Sequence, residues 1–189
     1  MSDIYGFVYR GLLTEVAIDK VRKSIKNDII DVLDIEGIQR SLNFELLEKD
    51  KLQDAQLMAN VYIALHALEN TIRDFVIKQI SEEFGETWED KIPQKIKKQA
   101  EARKATEGKF RWHTRREHDY MYWQFGDLSQ IVISNWDTFK DILPNQHWVS
   151  NILDNLEISR NVIMHGGVLE RIDIERIGMS IRDWIRQVG

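Results

Sequence analysis

The sequence predicts an all-α fold: a helical bundle with an N-terminal helical arm and a basic, aromatic insertion. Three observations predict it. Apolar residues recur every three or four positions through several long windows, the period of an amphipathic helix. The first half of the chain shows no alternation of apolar and polar residues, the mark of a half-buried strand. Only two prolines, Pro93 and Pro144, and ten glycines interrupt 189 residues, which leaves room for long helices.

The elements follow in order. Residues 12–35 carry Leu13, Val16, Val21, Ile25, Ile29 and Val32 on one helical stripe, and Gly37 is expected to end that helix or start the next loop. This segment belongs to an arm, residues 1–48, suited to dimerisation or to a partner; residues 49–189 form the main helical domain. Residues 51–84 form a much longer helix with Leu57, Val61, Leu65, Leu68, Ile72, Phe75, Val76 and Ile80 inward and Gly85 as its C-terminal cap. Residues 88–108 are basic and turn helical after Pro93, whereas 108–126 are aromatic and charged without a clean period. Asp127 is the expected N-cap of a helix whose apolar side holds Leu128, Ile131, Val132, Trp136, Phe139 and Ile142, and Pro144 stops it. Residues 145–165 form the next helix, which Gly166 and Gly167 break. The last covers residues 173–188, with Ile177, Ile181, Trp184 and Ile185 inward.

Composition bounds the function. Hydrophobic residues make up 43 % and charged residues 30 %, which suits a globular chain and argues against wholesale disorder. The absence of cysteine excludes a disulfide scaffold, a thiol nucleophile and cysteine-based zinc sites. No compact Asp/Glu/His cluster has metal-ligand spacing, so neither metal nor cofactor is expected. The N-terminus lacks the basic and apolar runs of a signal peptide and no stretch is long enough to span a bilayer, so a cytoplasmic location without membrane contact is expected. The net charge is −5, yet residues 95–116 hold nine Lys or Arg against two Glu. That run reads either as a solvated helix face or as a patch for a phosphate backbone, with Lys97, Lys98, Arg115 and Arg116 as its RNA-binding candidates.

The candidate chemistry lies in Arg160-Asn161-Val162-Ile163-Met164-His165. Spacing alone says little, because with 13 Arg and five His a chance match is expected roughly one time in three. Asn161 and His165 are four apart and share a helix face, and the long Arg160 side chain can swing to the same cleft. The alternative is a helix end whose basic residues satisfy the last carbonyls. Glu69 and Arg73 are likewise four apart, either an ordinary helix ion pair or support for the cleft. Trp112, Tyr120 and Trp123 are core residues or platforms for splayed bases, and His113 and His118 are RNA contacts or plain surface.

The segment 159–166 resembles the R-N-x-x-x-H signature of the HEPN superfamily (higher eukaryotes and prokaryotes nucleotide-binding). The similarity extends to Ala67-Leu68-Glu69-Asn70-Thr71-Ile72-Arg73, to Phe125-Gly126-Asp127-Leu128, and to the Trp184-bearing last helix, covering about residues 51–188. The fold is then a HEPN-like helical bundle. The resemblance implies a metal-independent endoribonuclease, a toxin or phage-defence effector acting on tRNA or another structured RNA, with an antitoxin or defence-system partner. The RNA 2′-hydroxyl would attack, with Arg160, Asn161 and His165 as catalytic residues in a composite site at a homodimer interface. A non-catalytic module that binds RNA, a nucleotide or a protein is the alternative. Met164 departs from the small residue usual before the histidine, and Gly167 replaces a tyrosine common among toxins paired with a nucleotidyltransferase.

Overall fold

The computed structural model describes residues 35–109 and 118–189. The helix expected over 12–35 lies outside the described residues but for Ile35, and so do Trp112, His113, Arg115 and Arg116. The chain divides into two compact units, residues 1–52 and 53–189. In the first, α1 (Ile35–Ser41) contains Gly37, so that glycine does not end a helix. Asn43 turns the chain in the left-handed region at φ 51°, a conformation Asn tolerates, and a 3-10 turn follows (Phe44–Leu46).

The second unit is built from helices α2 (Lys49–Phe84, whose first turn lies in the first unit), α3 (Gln94–Glu107), α4 (Phe125–Ser134), α5 (Trp136–Phe139), α6 (Gln146–Met164) and α7 (Arg171–Val188). Short 3-10 segments, Gly85–Lys91 and Asp119–Tyr122, join them, and no strand occurs among the described residues. The long α2 buries Met58, Val61, Leu65, Leu68, Ile72, Val76 and Ile80, spaced three or four apart as one apolar stripe. Leu57 falls off that stripe and is exposed. Gly85 follows the helix at φ 55°, the left-handed position that ends helices.

Helix α4 differs from expectation at both ends. Asp127 is not the N-cap of α4 but its third residue: Gln124 caps, and the Asp127 carboxylate accepts the Gln124 backbone N–H (3.0 Å) in a capping box. Asp127 is held there because it is buried against Arg103 (2.5 Å). The single helix expected to run on to Pro144 also breaks at Asn135. The Asn135 amide donates to the carbonyls of Ile131 (2.9 Å) and Lys91 (3.2 Å), which draws the backbone out of the helix. In α6, Asn145 caps as its type prefers, accepting from Trp148 N at 2.8 Å.

Helices α4 and α6 pack along each other at the centre, with Phe125, Leu128, Leu153 and Leu156 all but fully buried. Trp184 of α7 is wholly buried, stacked on Trp148 (5.7 Å, 14°) and edge-on to Phe75 (6.0 Å, 88°). Ile185, expected inward, is 45 % exposed, because one residue beyond Trp184 turns about 100° off the buried stripe. This core sets α6 beside α2, and of the candidate residues Glu69, Arg73 and Arg160 line the cavity between them.

Candidate functional site

The end of α6 is set by its two glycines. His165 is the C-cap, with its N–H on Asn161 O (3.1 Å). The Gly166 N–H donates to Ile163 O (3.0 Å) and the Gly167 N–H to Val162 O (2.8 Å), which together make a Schellman motif. Gly166 is needed for its φ of 80°. Gly167 is needed for space, since a Cβ there would lie 2.6 Å from Val162 Cγ1 and 2.9 Å from Val162 O. The chain therefore stops sharply and leaves the His165 side chain exposed.

Along α6, Glu157, Arg160 and Met164 share one face, spaced three and four apart. Arg160 and Met164 wall a cavity of about 510 Å³. Its opposite wall is the α2 stripe His66, Glu69, Asn70 and Arg73, and Tyr120 and Trp123 belong to its lining. The Glu157 carboxylate lies against Gly126 on the first turn of α4, where unpaired N–H groups favour an anion, and a Cβ at 126 would displace it.

The electrostatics centre on Glu69. Burial pushes its carboxyl above the usual 4.5, and Glu157 adds to that, while neighbouring Arg73 and Arg160 pull it down. Arg73 is buried and well partnered, donating to Glu69 Oε1 (3.1 Å), to Asn70 Oδ1 and to Trp123 O (2.7 Å), so it ties α2 to the turn before α4. Arg160 differs. Its Nε and Nη2 are buried without a hydrogen-bond partner among the described residues. Unpaired buried donors are costly, so these two nitrogens lack the partner that such groups usually have.

The structure brings Arg160, Glu69 and Arg73 together, but not the whole motif. Asn161 is half-buried, His165 is exposed, and neither lines the cavity. His165 is also not among the groups that act on Glu69. Of the basic run, Lys98 is exposed, and Lys97 lines a second cavity of about 350 Å³ with Trp88, His118 and Tyr120. Arg103 and Lys104 are neutralised by Asp127 and Asp119, both at 2.5 Å. Trp123 is core, 4 % exposed, while Tyr120 is half-buried and lies between the two cavities. Sequence reasoning missed His66, although it stands three and seven places before Glu69 and Arg73 on the same stripe. Among the described residues no group of His, Cys, Asp or Glu is arranged to hold a metal ion, and no helix is long and apolar enough to cross a membrane.

A helical bundle with an arginine, an asparagine and a histidine at the end of one helix, the arginine turned toward an acidic and basic stripe on a long early helix, fits a HEPN domain. The chain matches the Swt1-like HEPN family over residues 63–189, and it belongs to that family. The superfamily is one of nucleases and RNA-binding domains. No curated protein and no solved structure gives a match.

Proposed function

We infer that the protein is a metal-independent endoribonuclease. The observation that carries this reading is Arg160: the motif arginine holds buried, unpaired donors on the wall of a polar cavity, where a phosphate oxygen would satisfy them. Cleavage would proceed by attack of an RNA 2′-oxygen on the adjacent phosphorus. A base takes the 2′-hydroxyl proton and an acid protonates the departing 5′-oxygen, leaving a 2′,3′-cyclic phosphate and a 5′-hydroxyl. Arg160 would brace the phosphorane oxygens, Asn161 would orient, and His165 would move a proton.

Each copy brings one His165, and the reaction needs an acid and a base. A two-fold homodimer with the two motifs facing supplies both. Exposed Met164 and Val168 at the end of α6, with exposed Ile158 on α6 and Met179 on α7, support a contact on this side. In this reading the protein is a cytoplasmic toxin or phage-defence effector, residues 1–48 serve dimerisation or a partner, and Lys97, Lys98, Arg115 and Arg116 hold the RNA backbone.

One observation favours the alternative of a non-catalytic RNA-, nucleotide- or protein-binding HEPN module: in a single copy His165 lies outside the cavity that Arg160 lines. Incubation of the wild type, Arg160→Ala and His165→Ala with total RNA and tRNA separates the readings. Catalysis requires cyclic-phosphate ends from the wild type, a loss of about 10²-fold or more in either variant, and no cleavage of 2′-deoxy substrate. Equal inertness of all three proteins while RNA still binds selects the module.

A further inference from the structure

We propose that His66 is a positioning residue for RNA, locked as the Nδ1–H tautomer by Asn70 and Arg73 and offering that one N–H to a backbone phosphate oxygen. The proposal rests on the ribonuclease reading for its substrate, but the lock itself follows from hydrogen-bond chemistry alone. Arg73 Nη1 meets one end of the Asn70 amide, and a guanidinium can only donate, so that end is Oδ1. The other end is then Nδ2, which donates to His66 O (3.0 Å) and faces His66 Nε2 (3.2 Å). Turning the amide over would set oxygen against oxygen at His66 and nitrogen against guanidinium at Arg73. Nδ2 has no lone pair to accept with, so Nε2 must accept, and the proton of the neutral ring lies on Nδ1.

The ring is held from the other side as well, stacked on Tyr62 at 5.8 Å and 25°. With Nε2 engaged, the polar atom left over is Nδ1, which has no partner among the described residues. His66 lines the same cavity as Arg160, so an entering phosphate meets the unpaired Arg160 donors and this N–H in one space. A ring whose basic nitrogen already accepts from Asn70 is a poor proton acceptor for the 2′-hydroxyl. Proton transfer is left to His165.

Two measurements on the full-length protein test this. Two-bond ¹H–¹⁵N correlation spectra of histidine-labelled protein, with His66 assigned by its loss in His66→Asn, report the tautomer directly. The Nδ1–H pattern is expected, turning to a mixture in Asn70→Ala. An Nε2–H pattern in the wild type overturns the proposal. The second measurement compares His66→Asn, whose amide falls where Nδ1 was, with His66→Gln, whose amide falls where Nε2 was, and with His66→Phe, which keeps the ring but neither nitrogen. Wild-type KM in the Asn variant is expected, with KM raised about ten-fold and kcat kept in the Gln and Phe variants, as the loss of one charge-assisted hydrogen bond implies. Rescue by Gln instead of Asn, or a kcat collapse like that of His165→Ala, overturns it. Affinities for uncleavable 2′-deoxy oligomers of U and of A should fall equally in the Gln and Phe variants, and a loss confined to one base sequence overturns the phosphate assignment. If the wild type cleaves nothing, the ribonuclease reading fails while the tautomer and these affinities still decide the role of His66.

Discussion

Replacing the two glycines after α6 separately should give unequal costs, because the structure demands them for different reasons. An alanine at 166 meets nothing within 4 Å, so its cost is that of an L-residue at φ 80°, about 1 kcal/mol. An alanine at 167 carries no such penalty but sets its Cβ 2.6 Å from Val162 Cγ1 and 2.9 Å from Val162 O. The side-chain carbon can rotate away. The oxygen cannot, since it belongs to the helix and already accepts the Gly167 N–H at 2.8 Å. Relief must stretch that bond or unwind the last turn, for about 1–3 kcal/mol of overpacking together with about 1 kcal/mol for the weakened bond. In a chain of 189 residues each kcal/mol lowers Tm by about 2–4 °C, so Gly167→Ala should melt several degrees below Gly166→Ala. Adding Val162→Ala should restore only part of the Gly167→Ala loss, as it removes the carbon contact and not the oxygen. Thermal and urea unfolding followed by circular dichroism read the order. Gly166→Ala as costly as Gly167→Ala, or full rescue by Val162→Ala, would refute this account of how His165 is set at the helix end.

Further outcomes are expected. Glu69 keeps its proton to higher pH in the folded than in the unfolded chain, so its contribution to stability is greatest below 4.5 and declines as pH rises through its raised folded value. The difference in unfolding free energy between wild type and Glu69→Gln should therefore shift against the wild type over that window, and a shift in its favour sinks the reading. Arg73→Met strands part-buried Glu69, breaks the buried bond to the Trp123 carbonyl and should cost about 3 kcal/mol in urea unfolding. Trp184→Ala should cost about 3–5 kcal/mol, but Trp184→Phe much less, because the buried Nε1 has no partner among the described residues and its removal offsets lost packing. Lys97→Ala with Lys98→Ala should flatten the salt dependence of RNA affinity by about 0.7–0.9 per lost phosphate contact, and an unchanged slope returns both lysines to plain surface.

The long helices were legible because burial writes itself as a period: the stripe from Val61 to Ile80 and the sharp end at Gly166 can be read without a structure. What was illegible depends on distant partners. Asn135 breaks a helix by reaching Lys91 O, 44 residues away. Asp127 follows a good capping rule but is claimed by Arg103, leaving Gln124 to cap. At the site the motif and the Glu69–Arg73 pair were legible as spacings. That Arg160 would turn toward Glu69 and not toward Asn161 and His165 was not, for it depends on how α6 packs on α2. The tautomer lock of His66 was within reach, since His66, Asn70 and Arg73 follow one another at helical spacing.

The division of the motif between two sides of α6 follows from helix geometry. At about 100° per residue, positions 160 and 165 differ by about 140° round the axis, whereas 161 and 165 differ by only about 40°. Once the α2 seam takes Arg160 and Met164, Asn161 and His165 must face elsewhere, and the Schellman turn leaves His165 in the open. An arginine aimed inward and a histidine aimed outward cannot both reach one phosphate from a single straight helix unless the strand runs over the helix end or a second surface closes on it. The first arrangement places the scissile phosphate between the cavity mouth and His165. The second brings another His165 to the Arg160 side. Mixing Arg160→Ala protein with His165→Ala protein comes first, since activity recovered in the mixture requires parts from two chains. If none is recovered although mixed dimers form, titrating His165→Ala protein into the wild type decides: a loss in proportion to the wild-type fraction assigns the chemistry to one chain, and a loss with its square requires both His165 side chains.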